Sequence, residues 1–200
     1  MTRPGRRAAI CLSLAFMASS WCFPVHAANV ISRAEWGAKQ PVLTMKKQTP
    51  NRITIHHTAV PANTGLSIVK KLRGLQSFSQ SDARLADGRR KKAWADVPYH
   101  FYIAVDGRIA EGRPVGYVGD TNTPYDPTGH VSIVVEGNFD KEEPTMAELE
   151  ALTSLTAELA QRFDIGRDRI GVHRDFASTA CPGRNLEPHI RRIIASLPAK

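Results

Sequence analysis

Three side chains in this 200-residue chain have the chemistry of a metal site: His56, His173 and Cys181. Seven residues, R-D-F-A-S-T-A, separate His173 from Cys181, and Pro182-Gly183 follow. That spacing is neither a helical i, i+4 pair nor a zinc-finger spacing. It suits a loop that leaves a strand at His173 and curls back to present Cys181. An imidazole and a thiolate are good zinc ligands, and His56, on a strand, is the natural third. Two histidines and one cysteine leave a fourth tetrahedral position for water, which marks a catalytic rather than a structural site. On residue types alone an alternative stays open, in which Cys181 is a small buried hydrophobe and the histidines are ordinary satisfied polar residues.

The cysteine count bears on that choice. The chain has 3 cysteines and carries 27 Lys plus Arg against 19 Asp plus Glu, a net charge of +8. Residues 1–27 read as a secretory signal: Arg3, Arg6 and Arg7, an apolar run from Ala8 to about Ala18, then Val25-His26-Ala27 before the cleavage point. The apolar run is too short for the ~20 residues of a membrane span. Removal of this segment takes three arginines, no acid, Cys11 and Cys22, leaving a domain of residues 28–200 with a charge of +5 and Cys181 alone. A lone thiol in an oxidising compartment is inert in a core, paired with another chain, or bound to something. With 42% hydrophobic and 23% charged residues, the composition excludes an acidic solvating protein and a low-complexity disordered one. A basic balance admits nucleic acid, an anionic surface or an acidic polymer. Modest charge and export argue against nucleic acid.

The elements that must position these residues follow from periodicity. Residues 52–57 (R-I-T-I-H-H) form a strand with Ile53 and Ile55 on one face, Thr54 and His56 on the other. Residues 64–78 form a helix through Leu66, Val69, Leu72 and Leu75 or Gln76, and residues 81–96, polar and basic, a loop. Strands 99–105 and 108–111 make a hairpin across Asp106-Gly107. Residues 114–129 form a long loop of the kind that carries function, and 130–136 a central strand. T-M-A-E at Thr145 is a capping box opening a helix through Leu149, Leu152, Leu155, Leu159 and Phe163. A strand at 169–172 leads into His173, and a last helix spans 187–196 with Pro188 in its first turn. The fold class is α/β: a single domain with a central mixed β-sheet flanked by helices and the zinc site in a surface cleft.

Four motifs in order, I-H-H-T-A (55–59), D-V-P-Y-H-F (96–101), V-E-G-N-F (135–139) and H-R-D-x-x-S-T-A-C-P-G (173–183), together resemble the zinc-dependent N-acetylmuramoyl-L-alanine amidases. That family includes phage lysozyme-type amidases and the peptidoglycan recognition proteins of animals. The segment I-S-R-A-E-W-G-A (31–38) looks like the one preceding the domain in the recognition proteins. The resemblance implies one Zn2+ held by His56, His173 and Cys181. It also implies hydrolysis, by a zinc-activated water, of the amide between N-acetylmuramic acid and the L-alanine of the stem peptide. Tyr99 matches the family's active-site tyrosine, and Thr179 stands where some phage relatives carry a lysine.

The expected partner is peptidoglycan or muropeptide fragments, met by an exported, periplasmic or secreted monomer. No stable membrane insertion is expected once the signal is cleaved. The rival reading is a module that binds peptidoglycan without cutting it; non-catalytic relatives typically lose the ligand cysteine. His57 should face away from His56 as a structural hydrogen-bonder. Glu136 is a candidate general base, although a strand-end carboxylate beside a loop is more often a supporting or solvated one. The basic run Arg84, Arg89, Arg90, Lys91 and Lys92 reads as a solvated loop, or as a fringe of the cleft that attracts anionic wall components.

Overall fold

The computed structural model describes residues 30–85 and 88–199, so the expected signal segment lies outside the described residues. In chain order the elements are β1 (Val30–Ile31), β2 (Arg52–His57), α1 (Ile68–Ser79), β3 (Ala83–Arg84), β4 (Arg90–Lys91), β5 (Phe101–Ile103), β6 (Ile109–Glu111), β7 (His130–Val135), α2 (Met146–Arg162), β8 (Ile170–Val172) and α3 (Glu187–Ser196).

Among the described residues six strands form a mixed sheet in the order β1-β6-β5-β7-β2-β8, with β5–β6 antiparallel and the other pairs parallel. β7 is central as expected, and its unbroken H-V-S-I-V-V is buried throughout. One face of the sheet packs Ile53, Ile55, Ile133 and Val135 against Leu152, Leu155 and Leu159 of α2 and Ile190 and Ile193 of α3. Each such fully buried side chain contributes roughly 1.5–3 kcal/mol. The other face packs Val134 and Tyr102 against Ile68 and Leu72 of α1 and against Trp36. His56 pairs in register with Val134, and that puts it on the α1 face.

Helices with strong local signals begin and end where their sequences say. In α2, Thr145 Oγ1 accepts from the Glu148 backbone N–H and the Glu148 carboxylate accepts from Thr145 N–H at 2.8 Å, completing the capping box. α3 has the expected bounds, with Pro188 in the first turn. α1 departs from expectation. It starts at Ile68 rather than at residue 64, because Ser67 is the cap and its side chain accepts from Lys70 N–H. Leu66 therefore falls before the helix and is exposed.

Two further expectations are corrected. Residues 81–96 are not a plain solvated loop: β3 and β4 pair antiparallel, and Lys91 is buried. Its ammonium donates to the carbonyls of Ser79, Ser81 and Lys92 at 2.9 Å each and lies 4.6 Å from the Trp94 ring centre. The Ser79 carbonyl also accepts from Trp94 N–H at 2.8 Å, so Lys91 is a second donor to it at the end of α1. Lys91 is thus internal, and of the basic run it is not available to a wall polymer. The strand expected at 99–105 covers only Phe101–Ile103, and the hairpin turns over three residues, Val105-Asp106-Gly107, so that Ile103 pairs with Ile109 and not with the Ala110 that a two-residue turn would set opposite it.

Glu136 is buried and fully engaged. One carboxylate oxygen accepts from Asn63 N–H at 2.9 Å, the other from Val105 N–H at 3.2 Å and from the Lys71 ammonium at 2.8 Å. It ties the loop after β2 to α1 and to the ends of β5 and β7. Loss of either buried partner would leave an uncompensated charge.

Candidate metal centre

The sheet register brings the two histidines together. β2 and β8 run parallel with Ile55 opposite Val172, so the next residue on each chain is His56 and His173. Their ring centres are 4.6 Å apart. Beyond His173 the chain turns, closed by the Asp175 carboxylate accepting from Val172 N–H at 2.9 Å. It returns so that Arg174 N–H meets the Cys181 carbonyl at 3.2 Å. Cys181 Sγ then lies 3.8 Å from His56 Nδ1 and accepts the His57 backbone N–H at 3.4 Å. One potential ligand atom from each of His56, His173 and Cys181 lies within 4.8 Å of the other two.

These residues fit a zinc ion on two counts. A tetrahedral ion with ordinary Zn–S and Zn–N bonds separates sulfur and nitrogen by roughly 3.6 Å, close to the Sγ–Nδ1 distance observed. The protonation states agree as well. Burial first, then the charges of His173 and the neighbouring histidines, holds His56 well below its ordinary 6.5. Burial draws His173 down to about 4, so both imidazoles are neutral, the form that ligates. Burial pushes the Cys181 thiol up to about 12, and a thiolate there needs a cation beside it.

Tyr99 lies two residues before β5, where strand alternation does not govern its direction, and its ring centre is 5.3 Å from that of His56. Burial pushes its phenol well above the ordinary tyrosine range, with the Cys181 charge adding to the effect. Thr179 is half-buried and its Oγ1 accepts from Cys181 N–H at 3.2 Å, which leaves its own hydroxyl proton uncommitted by that bond. His57 faces the opposite side of the sheet, where its Nδ1 accepts from Phe139 N–H at 3.3 Å and its ring stacks on Phe139.

Reading the sequence flagged the 114–129 loop but not the residues in it that reach the site. Thr123 Oγ1 lies 2.7 Å from His173 Nε2. The Tyr125 ring centre is 5.3 Å from that of His173 and 5.9 Å from that of Phe176, on which it stacks. Arg113 holds the start of the loop, donating to Asp120 and to the carbonyls of Val97, Asp96 and Val118. The length of the loop was the available signal. Nothing local distinguishes Thr123 from its neighbours, because its partner is fifty positions away.

Beneath the centre, burial draws His100 down to about 4, against the pull of its bond to the Tyr117 carbonyl. Unfolded, the ring takes a proton near 6.5; folded, it stays neutral until about 4. The unfolded chain therefore binds the proton first, and stability is lost as pH falls through that window. His130, also at about 4 through burial and then the Arg52 charge, acts in the same direction. Denaturation midpoints are expected to be level above about pH 7 and to decline steadily below about pH 6. A midpoint that stays flat down to pH 4 would contradict this account.

A sequence profile of the N-acetylmuramoyl-L-alanine amidase family matches residues 46–184, a span that contains every residue of the centre. Peptidoglycan-recognition protein SC2 of Drosophila melanogaster is 29% identical over 190 residues, covering 92% of this chain and 95% of that protein. Among solved structures, peptidoglycan recognition protein-LE in complex with tracheal cytotoxin (monomeric diaminopimelic acid-type peptidoglycan) superposes with a TM-score of 0.67 at 31% identity, over 82% of this chain and 92% of that one. The N-acetylmuramoyl-L-alanine amidase LysC from Clostridium intestinale gives a TM-score of 0.62 at 28% identity, over 86% and 98%.

Proposed function

Because this chain belongs to the N-acetylmuramoyl-L-alanine amidase family, we propose that it hydrolyses the amide bond between N-acetylmuramic acid and the L-alanine of the peptidoglycan stem peptide. The observation that carries the reading is the convergence of His56, His173 and Cys181, with ligand atoms within 4.8 Å of one another, as the residues that would hold one zinc ion. Bound there, zinc would supply Lewis acidity, lowering the pKa of water towards ~7 and polarising the scissile carbonyl.

The chain's own groups supply the rest. The two neutral imidazoles and the Cys181 sulfur leave the centre a net positive charge, and the His57 N–H helps to hold the sulfur as an anion. Tyr99 keeps its phenolic proton and donates it as a hydrogen bond to the carbonyl oxygen as negative charge develops. Thr179, with a proton to offer and no charge, is a second donor at the rim. Residues 1–27 act as the export signal, so the mature N-terminus is expected at Ala28, and the exported domain meets peptidoglycan or its fragments as a monomer. Among the described residues no helix is long and apolar enough to cross a membrane.

The test is metal analysis of the purified protein with digestion of purified peptidoglycan. One zinc per chain and release of free stem peptides, stopped by a chelator and restored by zinc, is the expected result. Binding without cleavage at full metal loading would overturn the reading and leave a recognition module.

A further inference from the structure

Resting on the amidase reading above, we propose that Thr123, backed by Thr121, is a positioning residue that sets the tautomer of His173 and thereby the hold of the centre on its metal ion. Thr123 Oγ1 sits 2.7 Å from His173 Nε2 and 2.7 Å from Thr121 Oγ1. Thr121 Oγ1 in turn accepts the Thr123 backbone N–H at 3.1 Å.

Each hydroxyl has one proton to give, and two orders keep the Thr123 proton within this network. In one, Thr123 donates to Thr121 and accepts from a protonated Nε2 of His173, leaving the Nδ1 lone pair free. In the other, Thr121 donates to Thr123 and Thr123 donates to a bare Nε2, so that the proton sits on Nδ1. Thr123 already occupies the Nε2 side, which makes Nδ1 the nitrogen left to a metal ion. His56 likewise presents Nδ1 towards the Cys181 sulfur, at 3.8 Å. Only the first order permits ligation by His173, and Thr121, already drawn to the Thr123 amide, is the acceptor that order needs. A hydrogen bond to the second nitrogen of a ligating histidine fixes its orientation and raises its basicity. The loop is held for this task from both ends: by Arg113 with Asp120, and by Tyr125 stacked on Phe176, whose edge meets His130 at 4.9 Å between ring centres.

Thr123→Val removes the hydroxyl at nearly constant volume, and Thr123→Ser keeps it. Zinc affinity of the full chain, read by competition with a chromophoric chelator, is expected to fall about 10–100-fold in Thr123→Val and to stay within a few-fold of wild type in Thr123→Ser. Thr121→Val should show a smaller loss of the same sign, and the metal-free thermal midpoints of all variants should coincide. Equal affinity of Thr123→Val and wild type overturns the proposal. So does a parallel fall in both Thr123 variants with lowered metal-free midpoints, which would mark a packing defect of the loop. A wild-type protein that takes up no zinc overturns the amidase reading itself, and this inference with it.

Discussion

Replacing Cys181 by serine is expected to abolish stem-peptide release, by at least about 10³-fold, while peptidoglycan binding and the folded state survive. Of the three proposed ligands only Cys181 can be anionic, and the His57 N–H at 3.4 Å, together with a bound cation, would stabilise that anion. A serine hydroxyl stays protonated under the same conditions and is a poor zinc ligand, so both the metal and the Lewis acidity it supplies should go together. Sulfur and oxygen differ little in volume, and Cys181 sits at the edge of the core, so the packing cost is small beside the chemical one. The variant should therefore keep its circular dichroism spectrum, carry no zinc by elemental analysis, and still sediment with insoluble peptidoglycan. Turnover by a zinc-free Cys181→Ser protein would sink the assignment of this residue as a ligand. Loss of peptidoglycan binding together with turnover would point instead to a collapsed cleft.

What could be read in the sequence and what could not divides along the range of the interactions. The capping box of α2 and the alternation of β2 are each written within a few consecutive residues and appear where expected, whereas the turn marked by Asp106-Gly107 takes in Val105 as well and shifts the hairpin register by one. The convergence of His56, His173 and Cys181 was legible because a lone thiol, two histidines and ordered motifs limit the choices. Lys91 was not legible. Within a run of arginines and lysines nothing marks it as the one that folds inward, and its role depends on the carbonyls of Ser79 and Ser81 arriving from the end of α1. Glu136 is similar: the donors that engage it come from Asn63, Lys71 and Val105, which only the assembled sheet brings to one point. Even the start of β5 is a tertiary matter. The Tyr99 carbonyl accepts from Arg113 N–H at 2.8 Å over Gly112, where any Cβ would collide with that oxygen. The chain there is bent into the site instead of continuing as a strand.

That bend is the basis of the second large effect, expected for Tyr99→Phe. The ring is held 5.3 Å from His56 and is partly buried, so phenylalanine should occupy the same space with the same packing and lack only the hydroxyl. Burial and the nearby Cys181 charge keep the phenol protonated well above the ordinary tyrosine range. Tyr99 is therefore a donor and not a base throughout the working range of pH. A donor aimed at the oxygen that becomes negative in the transition state acts there far more than in the ground state. Losing one such donor costs about 10²–10³ in kcat and leaves KM nearly unchanged. Zinc content and thermal midpoint should equal those of the wild type, which separates this variant from Cys181→Ser. An unaltered kcat in Tyr99→Phe would remove Tyr99 from the reaction. A raised KM with kcat intact would make it a binding contact, because the lost interaction would then have been present equally in the bound substrate and in the transition state.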